Sequence, residues 1–228
     1  MAEKNETLEK KFPGVYLIDG RQATKSLAPG FKVYDERVAK LGDVEYRMWD
    51  VFKSKLSAAI KKGLKELPVK PGCTVLYLGA ASGTTASHVS DIVGAEGGVY
   101  CVEFAPRSMR DLVLVCEKRE NMLPILGDAR RPEEYAEELG GDKVDVVYED
   151  VAQPDQAEIL IKNCENFLKP KGHAMIAIKS QSIDVTKNPL KVYEEVKRKL
   201  SPHFEILQEI DLDPYDKEHL FLSLRAKK

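Results

Sequence analysis

The sequence predicts an α/β fold: a mostly parallel sheet with an antiparallel last strand, preceded by a small β-rich domain. Three observations predict it. From Gly72 onward, short apolar runs alternate with segments of helical period, the pattern of strands joined by crossover helices. Val75–Leu78 and Val144–Tyr148 are almost wholly apolar, as strands buried on both faces are. Phe204–Ile210 and Leu220–Leu224 are joined through Pro214-Tyr215-Asp216. That connection has no room for a crossover helix, so the two strands pair antiparallel.

Residues 1–49 form the β-rich domain. Gly14 to Asp19 runs into an Asp19-Gly20 turn, Pro29-Gly30 marks another, and Leu41-Gly42-Asp43 joins Val33–Val38 to Val44–Met48 as a hairpin. Residues 50–228 form the α/β domain. Phe52, Leu56, Ala59, Ile60 and Leu64 share one helical face between Asp50 and Leu64, with Lys55 at its edge. Pro68 and Pro71-Gly72 end that helix. Val75–Leu78 then leads through Gly79–Thr85 into a helix over Ala86–Val93. Val99–Phe104 is the second strand, followed by a helix from Pro106 to Arg119. Leu123–Leu126 is the third strand and Val144–Tyr148 the fourth. A helix over Pro154–Leu168, a Pro170-Lys171-Gly172 turn, a fifth strand over His173–Ile178 and a helix over Leu190–Leu200 precede the final antiparallel pair.

At 228 residues with 43% apolar content, the chain buries a large core without needing a disulfide or metal staple. The net charge is −2, which excludes a free-standing, sequence-blind nucleic-acid binder. The balance is uneven. Residues 1–72 hold 15 basic and 10 acidic side chains, and residues 73–228 hold 20 and 27. Cys73, Cys101, Cys116 and Cys164 include no CxxC pair, so neither a metal site nor a disulfide framework is expected. The charged start MAEKNETLEKKF is unlike a secretory signal, and no apolar run has the length of a membrane span. A cytoplasmic protein with reduced thiols is expected.

In an open parallel sheet, ligands bind beyond the carboxyl ends of the strands. After the first strand, Gly79-Ala80-Ala81-Ser82-Gly83-Thr84-Thr85 supplies small residues for close backbone approach and a helix start whose free N–H groups attract an anion. Glu103, 20 residues beyond Gly83, stands where an acid accepts both hydroxyls of a ribose. Gly127-Asp128-Ala129 puts a carboxylate near an adenine amino group, and also suits a cap before Arg130 and Pro132. The fourth strand ends in Glu149-Asp150 and the fifth in Lys179. A lysine there needs a counter-charge, and adjacent parallel strands would put Asp150 beside it. The last strand runs the other way, so His219 opens it at the same edge. His88, His173 and His203 show no such convergence and read as structural.

The run from Val75 to Asp91 (VLYLGAASGTTASHVSD), together with Asp150-Val151-Ala152-Gln153-Pro154-Asp155-Gln156, resembles the fibrillarin family of box C/D ribonucleoprotein 2′-O-methyltransferases. Tyr46-Arg47-Met48-Trp49 and Ser54-Lys55-Leu56-Ser57-Ala58-Ala59-Ile60 match it too. The sequence has no Gly/Arg-rich N-terminal extension and resembles the archaeal form. The resemblance implies a class I methyltransferase fold behind a small β domain, with S-adenosyl-L-methionine as cofactor. By position, Gly79, Ala81, Gly83, Thr84 and Thr85 would contact it, Glu103 and Phe104 would hold the ribose and flank the adenine, and Asp128 and Ala129 would address the adenine. Asp150, Val151, Ala152 and Gln153 would lie beside the methionine end. The family's catalytic set maps onto Lys55, Asp150, Lys179 and His219. Lys179 is the candidate base, with Asp150 orienting it and Lys55 and His219 positioning the ribose hydroxyl. The implied partners are a Nop-domain scaffold protein, a kink-turn-binding ribosomal-type protein, a box C/D guide RNA, and rRNA and tRNA substrates. A nicotinamide oxidoreductase shares the strand, Gly-rich turn and ribose acid, but its G-x-G-x-x-G spacing is not the G-x-x-x-G found here. A catalytically dead assembly subunit would not require the Lys55, Asp150, Lys179 and His219 set.

Overall fold

Glycine-marked turns lay out the first unit. In the computed structural model, which describes residues 7–228, five strands form an antiparallel sheet: β1 (Leu8–Phe12), β2 (Val15–Ile18), β3 (Arg21–Lys25), β4 (Val38–Leu41) and β5 (Val44–Met48), in the order β1-β2-β3-β5-β4. The first half of the charged start, residues 1–6, lies outside the described residues. Asp19 (φ 48°) and Gly20 (φ 74°) make the two-residue turn that closes Ile18 onto Arg21, the conformation a tight hairpin favours. The hairpin at Gly42 forms as expected, but Val33–Val38 is not its first arm. The Glu36 carboxylate accepts from the N–H groups of Val33 (3.1 Å) and Tyr34 (2.8 Å), and this local bonding competes with a ladder. The strand starts only at Val38.

The expected helix from Asp50 is shorter: α1 spans Lys55–Lys61. Asp50 Oδ1 accepts from the Phe52 N–H at 2.8 Å, which holds the preceding residues in a turn. Ser54 caps the helix, its hydroxyl accepting from the Ser57 N–H. Phe52 therefore leaves the apolar face and is 69% exposed.

The remaining elements are β6 (Thr74–Leu78), α2 (Thr84–Val93), β7 (Gly98–Glu103), α3 (Pro106–Cys116), β8 (Met122–Leu126), β9 (Val144–Glu149), α4 (Gln156–Phe167), β10 (Leu168–Lys179), α5 (Ser180–Ile183), α6 (Pro189–Leu200), β11 (Phe204–Asp211) and β12 (His219–Ala226). The seven strands order as β11-β12-β10-β9-β6-β7-β8. β10, β9, β6, β7 and β8 pair in parallel, and β12 is antiparallel to both its neighbours. The Pro170–Gly172 turn is absorbed into β10 as a break in register between Leu168 and His173, with Lys171 at φ 58°. Val75, Tyr77, Val146 and Tyr148 pack on one face of the sheet, and Leu76, Leu78 and Val147 on the other. This two-sided burial explains the continuous apolar runs.

A buried polar seam joins the two sheets. Arg47, fully buried, donates to Glu36 (2.8 Å), Asp91 (2.9 Å) and Ser87 (3.0 Å). Thr24 donates its hydroxyl to Asp91 at 2.8 Å and so accepts from His88 Nδ1 at 2.7 Å. The His88 Nε2 faces the Tyr34 hydroxyl at 2.7 Å, and its ring stacks on Trp49 at 4.9 Å. Burial, with the charges of Arg47 and Arg119, pushes His88 well below the usual imidazole range. It is a neutral structural histidine, which agrees with its reading from sequence.

Candidate active site

The strand order reverses direction of growth between β6 and β9, so the crevice for a ligand opens where Leu78 and Glu149 end. Leu78 and Glu149 are register partners there. The next residues come closer still. A Cβ added to Gly79 (φ 79°) would lie 2.5 Å from the Asp150 carbonyl oxygen, so only glycine fits.

A cavity of about 310 Å³ occupies this edge. Ten of the residues expected to bind cofactor line it: Gly79, Ala81, Glu103, Phe104, Asp128, Ala129, Asp150, Val151, Ala152 and Gln153. Glu103 is not a solvated charge. It is 7% exposed, and its two oxygens accept from the N–H groups of Ala81 and Ala105, both at 2.8 Å. Each oxygen keeps a lone pair for a further donor. Phe104 is 59% exposed at the rim. Asp128 holds Arg130 through paired contacts of 3.0 and 2.6 Å, and that hydrogen bonding keeps its carboxyl below the ordinary range despite partial burial. It also accepts from the Arg130 N–H, the local turn the sequence allowed.

Gly83, Thr84 and Thr85 do not line this cavity. Gly83 (φ 89°) caps α2 and faces Leu112 and Val115. Thr85 donates its hydroxyl to Ser54 at 3.0 Å, tying the start of α2 to the cap of α1. The glycine-rich turn thereby also fixes where Lys55 begins its helix.

Lys55 meets Asp150, with Nζ 2.8 Å from Oδ1 and 3.0 Å from Oδ2. Asp216 Oδ2 lies 3.7 Å from the same Nζ. Burial opposes the charge on Lys55, but the two carboxylates outweigh it and raise its pKa above the ordinary lysine range. The expected ion pair between Asp150 and Lys179 is not formed among the described residues; Lys55 takes that place. The register explains why. Glu149 pairs with Ile176, so β10 runs on three residues to Lys179 while Asp150 is one residue past β9. Lys179 instead stands opposite His219 across β10 and β12. His219, 5% exposed, directs Nδ1 at the Lys217 carbonyl (2.8 Å) and at Asp216 Oδ1 (2.9 Å).

A smaller cleft of about 130 Å³, lined by Val51, Phe52, Lys53, Ser54, Lys55, Asp150 and Asp216, adjoins the first. Asp150 lines both. Lys179 and His219 lie off the lining of this cleft. Two grooves of about 510 Å³, one of them sharing Val51 and Phe52 with the smaller cleft, contain none of the expected site residues.

Two participants were missed from sequence. Asp216 joins the Lys55–Asp150 pair to the Lys179–His219 pair; its place three residues before His219 in a turn is the signal that was there to be read. Gln156, fully buried at the start of α4, donates to the carbonyls of Val151 (2.6 Å) and Ala177 (3.2 Å) and accepts from the Lys179 N–H (3.1 Å). It clamps the ends of β9 and β10 together.

Residues 7–228 match the fibrillarin family. The fibrillarin-like rRNA/tRNA 2′-O-methyltransferase of Pyrococcus furiosus is 56% identical over 225 residues, spanning 96% of this chain and 98% of that protein. The crystal structure of Aeropyrum pernix fibrillarin with natively bound S-adenosyl-L-methionine superposes with a TM-score of 0.89 at 47% identity, covering 98% of this chain and all (100%) of that one. Fibrillarin in a fibrillarin/Nop5p complex gives 0.84 at 40% identity, covering 93% and 97%. With its sheet order, its cavity and its full-length match in agreement, the chain belongs to the fibrillarin family.

Proposed function

We propose that this protein is an S-adenosyl-L-methionine-dependent RNA 2′-O-methyltransferase, the catalytic subunit of a box C/D ribonucleoprotein that modifies rRNA and tRNA under the direction of a guide RNA. One observation carries the reading: Asp150 lines both the larger cavity and the smaller cleft, with Lys55 bound to it. A donor in one and a ribose in the other would meet at that residue.

The residues of the larger cavity fit the cofactor. Its volume suits a ligand of that size, Gly79 leaves the backbone bare beside Asp150, Glu103 has lone pairs for a ribose, and Phe104 offers a ring to an adenine. When bound, S-adenosyl-L-methionine supplies a methyl group already activated on a sulfonium. The protein's main task is then to orient the ribose hydroxyl. Lys55, held charged by Asp150 and Asp216, is a donor and not a base; it fixes the hydroxyl oxygen and steadies charge that develops there. The hydroxyl proton goes to Nζ of Lys179, which accepts it in the neutral amine form. Gln156 keeps the two strand ends, and so Asp150 and Lys179, at a constant separation.

The relative solved with Nop5p supports a Nop-domain scaffold as partner. A guide RNA and a kink-turn-binding ribosomal-type protein complete the proposed particle, which acts on rRNA and tRNA, and the reading includes a cytoplasmic location. A net charge of −2 suits an enzyme that borrows RNA affinity, because nonspecific phosphate attraction would blur site choice. The test is methyl transfer from labelled cofactor to RNA, with and without guide and scaffold, mapped to the nucleotide. Label on a ribose 2′-oxygen at the guided position is expected. Label on a base, or transfer indifferent to the guide, contradicts the reading.

A further inference from the structure

We propose that Asp216, which stands outside the Lys55, Asp150, Lys179 and His219 set, is a positioning residue for methyl transfer, with one carboxyl group that fixes the imidazole of His219 and faces the ammonium of Lys55. This rests on the reading of those four residues as the reacting site.

Asp216 lies in the turn between β11 and β12, and backbone bonding holds that turn in place. Tyr215 and Asp216 donate their N–H groups to the Leu212 carbonyl (2.8 and 3.2 Å), and Leu212 donates to the His219 carbonyl (3.0 Å). The carboxyl group is thus presented from a closed loop. Oδ1 is 2.9 Å from His219 Nδ1, and Oδ2 is 3.7 Å from Lys55 Nζ.

The hydrogen on His219 can be placed from its neighbours. Nδ1 faces a carboxylate oxygen and the Lys217 carbonyl oxygen, both acceptors only, so Nδ1 carries the hydrogen. In the neutral ring Nε2 is then the acceptor. It is buried and has no hydrogen-bond partner among the described residues, so a donor that reached it would satisfy a group otherwise left bare.

The two carboxylates near Lys55 are not equivalent. Asp150 makes the close contact and neutralises the ammonium, which leaves the charge of Asp216 available to the imidazole. The charged groups that face Asp216 come from three elements: Lys55 of α1, Lys179 of β10 and His219 of β12. Burial raises its carboxyl, yet the hydrogen bond from His219 and these charges hold it below the ordinary carboxylate range. It is ionised at neutral pH. A carboxylate so placed keeps the ring in one tautomer and stabilises positive charge that arises on it. Asp216 lines the smaller cleft, and its positioning role is exerted through His219 and Lys55.

The test uses the reconstituted particle with Asp216→Asn, Asp216→Glu and His219→Ala. Single-turnover methyl transfer is read at saturating cofactor and RNA, beside cofactor titration and thermal melting. Loss of a hydrogen bond to a charged group should slow transfer by about 10- to 100-fold in Asp216→Asn. Cofactor affinity and melting temperature should stay near wild type, and Asp216→Glu should recover part of the rate. Nitrogen-15 spectra of the whole chain should show His219 protonated on Nδ1 in wild type, and a changed Nδ1 chemical shift in Asp216→Asn, where the Lys217 carbonyl alone accepts that hydrogen. A wild-type rate in Asp216→Asn while His219→Ala is inactive overturns the proposal and leaves the active-site reading standing. A wild-type rate in His219→Ala removes both. Rate loss that only follows loss of melting temperature and cofactor binding makes Asp216 structural and overturns the proposal. Should Asp216→Asn not fold, the wild-type spectrum decides, and His219 found protonated on Nε2 alone counts against it.

Discussion

Lys179 and His219 are register partners across the antiparallel β10–β12 pair. This places an amine and an imidazole, 40 residues apart in the chain, at one point of the sheet edge. The arrangement depends on the reversal of the last strand. Had β12 run parallel to β10, its first residue would sit at the opposite edge, away from Asp150.

Replacing Lys179 tests whether that pairing serves chemistry. Lys179→Ala should slow single-turnover methyl transfer by about 10²- to 10⁴-fold, the usual worth of a group that handles a proton in the transition state. Cofactor titration of the same variant should give nearly wild-type affinity, because Lys179 does not line the larger cavity. Near-normal turnover with cofactor bound would remove Lys179 from the mechanism.

Gly79 tests the crevice. A Cβ there would meet the Asp150 carbonyl at 2.5 Å, at a φ of 79° that side chains avoid. Gly79→Ala should destabilise the protein by about 1–3 kcal/mol through backbone strain. It should also weaken cofactor binding, since the two strand ends must part to admit the methyl group. Chemical denaturation and cofactor titration read the two effects separately. Unchanged behaviour in both would show that the turn relaxes freely.

Much of this site is legible in the sequence. Continuous apolar runs fixed the parallel strands, the short connection around Asp216 reversed the last one, and the sheet-edge rule then collected Glu103, Asp128, Asp150, Lys179 and His219. What the pattern left out was fine register and local competition. The partner of Asp150 is Lys55 and not Lys179 because β10 extends two residues beyond the position level with Asp150, an offset that no hydropathy period encodes. Residues 33–37 and 50–53 read as strand and helix by apolar spacing, but the Glu36 and Asp50 carboxylates bind nearby N–H groups and form turns instead. Apolar spacing does not reveal the strand Leu8–Phe12; it is a mostly exposed edge of the N-terminal sheet and lacks the burial that makes strands visible in sequence.

The seam between the two sheets should be costly to break. Arg47 is wholly buried and answers two carboxylates, Glu36 and Asp91. Arg47→Leu leaves both without this partner, and removal of one member of a buried ion pair costs about 3–5 kcal/mol. Equilibrium denaturation should show this loss. It should also show a smaller effect for Glu36→Gln, which removes one charge and leaves Arg47 paired with Asp91. A loss under about 1 kcal/mol for Arg47→Leu, the scale of an exposed pair, would mean that water replaces the guanidinium and that the seam is not dry.

Glu149 closes β9 with neither carboxyl oxygen hydrogen-bonded among the described residues, and it is wholly buried. Burial, then the charges of Asp150, Asp155 and Glu158, push its pKa well above the usual value of 4.5. Burial therefore favours the neutral carboxyl in the folded protein more than in the unfolded chain. Folding takes up a proton between pH 4.5 and the folded-state pKa, so this group's contribution is intact below pH 4.5 and is lost as pH rises through the folded-state pKa. Glu149→Gln removes the titration and keeps the shape. Its stability relative to wild type should rise with pH above 4.5, by up to about 1.4 kcal/mol per unit. Parallel denaturation series of both proteins at several pH values measure that slope directly. A difference independent of pH would mean that Glu149 is ionised in the folded state, and that a cation or ordered water compensates it there.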